Sequence, residues 1–123
     1  MFFDESTTDM SFYDDMMKNP AYYKRAKNLK YRIKHIRPFQ YFEECAAISS
    51  SYLKEDITAL DEMRVLIRDL YVKYAQAMLD GEKFPLPVLD YAGQTQEGRH
   101  RAMAAHKAGA KEMPVMMVTT ANG

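Results

Sequence analysis

The sequence has only one cysteine among its 123 residues, so no disulfide can form within the chain. This scarcity is typical of proteins from a reducing compartment. No apolar run reaches the length of a membrane-spanning helix. The amino terminus is acidic and lacks the basic and apolar regions of a signal peptide. These absences predict a soluble, cytoplasmic protein without a membrane partner.

The sequence also lacks the common signatures of nucleotide, metal and hydrolase sites. It contains no Walker loop, no dinucleotide fingerprint and no nucleophile elbow. Its histidines, His35, His100 and His106, do not have the spacing of a zinc site. Cys45 lies in the helix-like segment EECAAI, where an inert buried thiol is expected. None of these well-known catalytic centres is therefore indicated.

The chain has no net charge either, since its seventeen Lys and Arg residues balance its seventeen Asp and Glu residues. This argues against a general attraction to nucleic acid, but it does not exclude a local patch. The charges are segregated. Residues 1–17 carry five acids and no Lys or Arg, whereas residues 18–37 carry eight Lys or Arg and no acid. We therefore divide the chain into an extension, residues 1–30, acidic and then basic, and a domain, residues 31–123.

The basic part of this extension is a candidate arm for a nucleic-acid or protein partner. Interleaved tyrosines would let it contact phosphates and stack on bases. A solvated helix face over residues 20–29 explains the same pattern, as does pairing with the acidic head of this or another copy. The arm residues are Lys24, Arg25, Lys27, Lys30 and Arg32.

Hydrophobic periodicity predicts the elements of the domain. They are a strand at 31–37, a helix from Pro38 to about Ile48 with a break at the following serines, and one long amphipathic helix from about Thr58 or Asp61 to Leu79. Strands at 88–91 and 94–96, a helix at 99–108 and a buried strand at 115–119 follow. The order predicts an α/β (α+β) fold, in which a small mixed sheet is packed with helices and the amino-terminal half is rich in helix.

The sharpest functional signal is the segment EGRHR, which precedes an alanine-rich helix. Arg99, His100 and Arg101 stand at the amino end of that helix, directly after Gly98. Free N–H groups and the positive pole of the helix dipole attract phosphate there. Cationic side chains are unfavourable at this end unless an anion compensates them. The segment therefore predicts an anion site. An ordinary helix start with solvated Arg and His side chains would show the same residue pattern.

Each residue of this segment has an expected chemical role. Gly98 lets the backbone approach a ligand closely. Arg99 and Arg101 match phosphate oxygens, and His100 can donate a hydrogen bond or move a proton. Glu97 is a candidate ligand for Mg²⁺ on a bound phosphate. Asp90, at the end of the preceding strand, is a second candidate for that metal, although it is equally a turn-forming aspartate.

The segment EGRHRAMAA, with Gly109 and PVMMV after it, resembles the signature of the ParB/sulfiredoxin-like superfamily. The upstream LPVLDY stands where members carry the preceding strand. The similar part spans residues 86–118, about a quarter of the chain. The resemblance implies a small mixed sheet and a nucleoside triphosphate held at the helix start. It also implies that Gly98 is the close-approach glycine, that His100 and Arg101 bind phosphate and that Glu97 is the leading acid.

Members of this superfamily differ in chemistry, and departures from the pattern narrow the choice. Sulfiredoxins need a cysteine where this chain has Arg99, so sulfinic-acid reduction is not expected. Partition proteins carry further modules after the nucleotide domain, and the chain ends five residues after Val118. A serine-kinase activity would need a separate carboxylate. The candidates are Glu43, Glu44, Asp56, Asp61 and Asp90.

The expected function is therefore binding of a nucleotide or other phosphoester at the EGRHR helix start. If the protein is an enzyme, the resemblance implies a ParB-like nuclease, NTPase or phosphotransferase that uses Mg²⁺. His100, Arg101 and Glu97 would be its catalytic residues. The alternative is a non-catalytic phage or mobile-element protein, a virion component or anti-host factor, that uses the fold as a scaffold for a protein or nucleic-acid partner. Its location would then be the host cytoplasm or the virion.

Overall fold

The computed structural model describes residues 2–5 and 29–120. The helix expected over residues 20–29 lies outside the described residues except for Leu29, which begins the first strand, and the arm residues Lys24, Arg25 and Lys27 lie outside them as well. Within them, no helix is long and apolar enough to span a bilayer.

The described residues form four strands and four helices. They are β1 (Leu29–Ile36), α1 (Pro38–Leu53), α2 (Ala59–Arg64), α3 (Arg68–Leu79), β2 (Val88–Asp90), β3 (Thr95–Glu97), α4 (Arg99–Lys107) and β4 (Met113–Thr120). This architecture confirms the predicted small α+β fold with a mixed sheet and packed helices.

The sheet has the strand order β1-β4-β2-β3. Strand β4 lies inside the sheet, antiparallel to β1 and parallel to β2. Its apolar run fits this position, because such a strand is covered on both faces. β3 pairs antiparallel with β2, and Val88 is opposite Glu97. The start of α4 therefore lies beside the amino end of β2, whereas Asp90 lies at the other end of that short strand.

Helix α1 is longer than predicted, because it continues through Ser49, Ser50 and Ser51. Serine hydroxyls that bond locally usually compete with a helix. Here a neighbouring segment uses two of them. Ser49 donates to Glu62, and the Ser50 hydroxyl bonds both the N–H and the carbonyl of Ile57. The predicted break at the serines was wrong. The helix continues to Leu53, and the residue after it, Lys54, has a left-handed backbone conformation.

The prediction of a single long helix from Thr58 to Leu79 was also wrong, because residues 65–67 are not helical and separate α2 from α3. Helix α2 begins with a capping box between Thr58 and Asp61. Ile67 is extended, and its N–H donates to the side chain of His100, 2.9 Å away. The apolar periodicity continues across the break, so it could not reveal this contact.

Residues 2–5 pack against the domain. Phe3 is buried and pairs with Phe84 in an isolated parallel bridge. The Asp4 N–H donates to the Phe84 carbonyl, and the Phe84 N–H donates to the Phe2 carbonyl, both at 3.0 Å. Glu5 then approaches His35 of β1 at 2.6 Å. The first residues of the predicted extension thus contribute to the core.

Candidate functional site

Helix α4 begins at Gly98, whose left-handed backbone has φ 114° and ψ 20°. No side chain caps this end, and the first intrahelical bond runs from the Ala102 N–H to the Gly98 carbonyl at 2.9 Å. The N–H groups of the first turn therefore have no acceptor within the helix. A Cβ atom at position 98 would lie only 2.8 Å from the Pro87 Cα atom. The turn thus requires glycine both for its φ angle and for space.

Arg101 is a buried clamp beneath this turn. Its Nη1 and Nη2 atoms donate to the two carboxylate oxygens of Glu97 at 2.7 and 2.5 Å. Its Nε and Nη2 atoms donate to the carbonyls of Pro85 and Leu86, both at 2.9 Å. Only 8% of the Arg101 side chain is exposed. The guanidinium is therefore turned inward, and it joins the end of β3, the segment before β2 and the first turn of α4.

Tyr41 of α1 supports the same junction from the other side. Its hydroxyl lies 2.9 Å from the Glu97 carbonyl and 3.1 Å from the Val88 carbonyl. Tyr41 is fully buried, and burial raises the pKa of its hydroxyl well above the ordinary value. The hydroxyl therefore stays a neutral donor that fixes the end of β3.

Arg99, the first residue of α4, faces a different carboxylate. Its Nη1 atom is 2.6 Å from Glu62 Oε2, and the Ser49 hydroxyl donates to Glu62 Oε1 at 2.7 Å. Only 7% of the Glu62 side chain is exposed, but 30% of the Arg99 side chain is. No further hydrogen bond of this guanidinium is made to the described residues. Glu62 thus orients Arg99 while other donors of the guanidinium remain available at the surface.

Glu62 is the residue that sequence reasoning missed, since it was not among the predicted site residues. A usable signal was present. Position 62 is four residues before Leu66, so in the predicted helix both side chains lie on the apolar side that faces the core. An unpaired acid would be costly there. A basic partner from another element could have been inferred from that position.

His100 is held as a neutral imidazole. Its Nε2 atom accepts the hydrogen bond from the Ile67 N–H, so the ring proton is on Nδ1. Desolvation and then the charge of Arg99 lower the pKa of His100, and Glu97 opposes them. At neutral pH this residue can therefore donate a hydrogen bond from Nδ1, but it adds no positive charge.

This lowered pKa predicts a pH dependence of stability. The unfolded chain takes up the His100 proton at a higher pH than the folded protein does. The contribution of His100 to folding is therefore complete above about pH 6.5, the ordinary histidine value, and it falls as the pH drops towards the folded pKa. Urea unfolding between about pH 7.5 and 5 should show this loss, because protonated Nε2 cannot accept from Ile67.

The matched comparison is His100→Gln, which cannot titrate. The difference in unfolding free energy between the wild type and this variant should shrink as the pH falls. A difference that is constant over the whole interval would contradict the described tautomer.

Both predicted Mg²⁺ ligands have other hydrogen-bond partners in the structure. Asp90 Oδ1 accepts the Gly93 N–H at 2.7 Å and shapes the turn after β2. Asp90 pairs with Thr95 and Glu97 pairs with Val88, so the two acids are diagonal neighbours on one face of the sheet. Both oxygens of Glu97 already accept bonds from Arg101. Among residues 2–5 and 29–120, no group of three or more His, Cys, Asp or Glu is arranged to hold a metal ion. Binding of Mg²⁺ by Glu97 and Asp90 therefore stays a prediction, and Glu97 would have to give up bonds to Arg101 to coordinate it.

Comparison of the chain with protein-family models, with curated proteins and with solved structures gives no match. The resemblance to the ParB/sulfiredoxin-like superfamily therefore rests on the residues at 86–118 and remains a prediction. What the described geometry adds is the arrangement of those residues. Arg99 and His100 lie at the open end of α4, and Arg101 and Glu97 lie beneath it.

Proposed function

We propose that the start of α4 binds a phosphoester, with a nucleotide as the leading class. The observation that carries the proposal is the uncapped helix start at Gly98, next to a guanidinium that Glu62 holds at 2.6 Å. The ligand would accept bonds from the first-turn N–H groups, from Arg99 and from His100 Nδ1. The resemblance of EGRHR to the ParB/sulfiredoxin-like signature supports the same ligand class.

The proposal divides the predicted site residues into two roles. Arg99 and His100 contact the anion, and Gly98 allows its close approach. Arg101 and Glu97 are positioning residues, because their mutual ion pair and the two carbonyl contacts occupy them beneath the turn. Arg99 at the positive end of a helix dipole costs about 0.3 to 1 kcal/mol. Glu62 offsets this in the free protein, and a bound phosphate would add to the compensation.

The proposed activity is binding rather than a defined hydrolysis. Both carboxylate oxygens of Glu97 accept bonds from Arg101, and Asp90 accepts the Gly93 N–H, so binding of Mg²⁺ would have to replace these bonds. His100 is neutral and held at Nε2, so Nδ1 is the ring atom that would face a phosphoryl oxygen.

A thermal-shift titration tests the proposal. ATP, CTP, GTP and inorganic phosphate are each added with and without Mg²⁺. A ligand at about 100 times its Kd should stabilise the wild type by about 2.7 kcal/mol. Arg99→Gln should weaken binding roughly 10- to 100-fold, the effect of losing one charge-assisted contact. Each variant is compared with its own ligand-free melting curve, which separates binding from any loss of stability.

Two further variants make this test specific. Arg99→Gln combined with Glu62→Gln avoids a buried unpaired carboxylate and should bind as weakly as Arg99→Gln alone. Arg64→Gln removes an exposed arginine 3.6 Å from Asp61 and should bind like the wild type. If no phosphoester stabilises the wild type, or if Arg99→Gln binds with unchanged affinity, the proposal fails.

A second candidate is a non-catalytic scaffold for a partner or another copy, and exposed apolar side chains favour it. More than half of the surface is exposed in each of Tyr52, Leu53, Leu60, Val65 and Ile67. Surfaces of this kind are common at interfaces when they are contiguous. Sedimentation over a range of concentrations, with Val65→Asp combined with Ile67→Asp as the comparison, shows whether these side chains mediate self-association.

A further inference from the structure

Strand β1 carries a strip of basic side chains that the proposed phosphoester site does not use. Lys30, Arg32 and Lys34 alternate along the strand, so all three project from one face. They are exposed. We call these three residues the basic strip. It contains the two residues of the predicted arm that the structure describes, together with Lys34.

No acidic residue stands opposite the strip on β4, and the nearby Glu5 is paired with His35 of the other face. The positions opposite it on β4 are Thr119, Met117 and Val115, none of which carries a charge. Within residues 2–5 and 29–120, no ion pair involves any of the three basic side chains. Successive members are two strand residues apart, about 7 Å. Like charges this close repel one another, and this unfavourable arrangement is relieved when an anion lies along it.

The position of β1 makes the strip accessible along its whole length. β1 is the last strand in the order β1-β4-β2-β3, so among the described residues it pairs on one side only. It is eight residues long. A linear polyanion can therefore lie along this edge without displacing another element of the described fold.

We infer that the basic strip binds the phosphate backbone of a nucleic acid without regard to base sequence. The strip is about 14 Å long, and one nucleic-acid strand carries a charge per about 3.4 Å of helix axis, so each basic side chain can meet a phosphate. An anionic lipid surface is a poorer partner, because membrane-surface elements combine basic residues with an apolar side chain that inserts. The exposed residues on this face of β1 are Lys and Arg only.

Edge strands also carry lysine for another reason, which is to prevent pairing with the edge of a second sheet. That role needs no ligand and predicts a different outcome on mutation. Removing the charges would then cause self-association and leave nucleic-acid affinity unchanged. The two explanations are therefore separable in one set of variants.

The test is fluorescence anisotropy with a labelled oligothymidylate of about 20 nucleotides and with a duplex of equal length. Binding is measured from about 50 to 200 mM salt. The triple variant Lys30→Gln, Arg32→Gln, Lys34→Gln should bind more weakly. Its log–log salt dependence on the single strand should be about 2 units shallower than that of the wild type, because three phosphate contacts are lost. A difference of that size corresponds to about a 20-fold smaller loss of affinity over this salt range.

The control removes three exposed lysines elsewhere, in Lys73→Gln, Lys107→Gln, Lys111→Gln. It changes the net charge equally and should keep the wild-type salt dependence. Three results would overturn the inference: equal salt dependence in both triple variants, wild-type binding to phosphatidylserine vesicles but not to either oligonucleotide, or oligomerisation of the strip variant with unchanged nucleic-acid affinity.

Discussion

Replacing Arg101 with alanine should lower the free energy of unfolding by about 3 to 5 kcal/mol, the range for removing one partner of a buried ion pair. The variant leaves the Glu97 carboxylate without its two bonds, and it leaves the carbonyls of Pro85 and Leu86 without a donor. Since small domains are stable by only about 5 to 15 kcal/mol, this change approaches the limit of folding. Urea denaturation followed by circular dichroism measures it.

Two comparisons make this result interpretable. Arg101→Lys keeps a charge near Glu97 but loses the planar fork, so its stability should lie between those of the wild type and the alanine variant. Arg64→Ala removes an arginine whose side chain is 74% exposed, and it should cost no more than about 1 kcal/mol. If Arg101→Ala were as stable as Arg64→Ala, the clamp would not exist as described.

Gly98→Ala should cost about 2 to 6 kcal/mol, because two penalties add. A side chain is strained at φ 114°, which costs about 1 to 3 kcal/mol. The new Cβ atom would also lie 2.8 Å from the Pro87 Cα atom and 2.9 Å from Arg101 Nη2, and such overpacking costs about 1 to 3 kcal/mol. Thermal and urea unfolding of the variant give the total.

Gly109→Ala isolates the first of these penalties. Gly109 has a similar φ of 96°, but a Cβ atom there would meet nothing within 4 Å. This variant should therefore lose only the strain term, and Gly98→Ala should be less stable than Gly109→Ala by about 2 kcal/mol. Equal losses at the two positions would show that the chain does not pass closely beneath the α4 turn.

The elements around the α4 start were predictable because local signals agree there. The apolar run of β4, the glycine before Arg99 and the alanine-rich helix specify a turn, a helix and a covered strand without help from distant residues. The pairing of these elements follows from the short connections between them. The sequence therefore contained the scaffold of the candidate site.

The orientation of the basic side chains was not predictable in the same way. Arg99 and Arg101 are both basic and are two residues apart, so nothing local distinguishes them. Arg101 points inward because the Pro85 and Leu86 carbonyls meet it there, and Arg99 points towards Glu62 because α2 ends before the break at 65–67. These partners come from other elements, and only the packed fold brings them to the helix start.

The EGRHR segment carries less positive charge at the helix start than its three basic residues suggest. Each arginine of EGRHR faces one carboxylate, and the imidazole of His100 is neutral. In the proposed site, the attraction for an anion would come from the helix start and from the exposed part of Arg99 rather than from three full charges. Selectivity should therefore depend more on fit against the first turn than on overall charge of the ligand.

The most direct measurement is an amide ¹H–¹⁵N correlation spectrum recorded while a nucleoside triphosphate, or inorganic phosphate, is titrated into the protein. If the start of α4 binds an anion, the amide chemical shifts of Arg99, His100 and Arg101 should change in a saturable way. The amide of Ile67, which donates to His100, should shift as well. Unchanged first-turn amides, or shifts confined to another part of the molecule, would contradict an anion site at the start of α4.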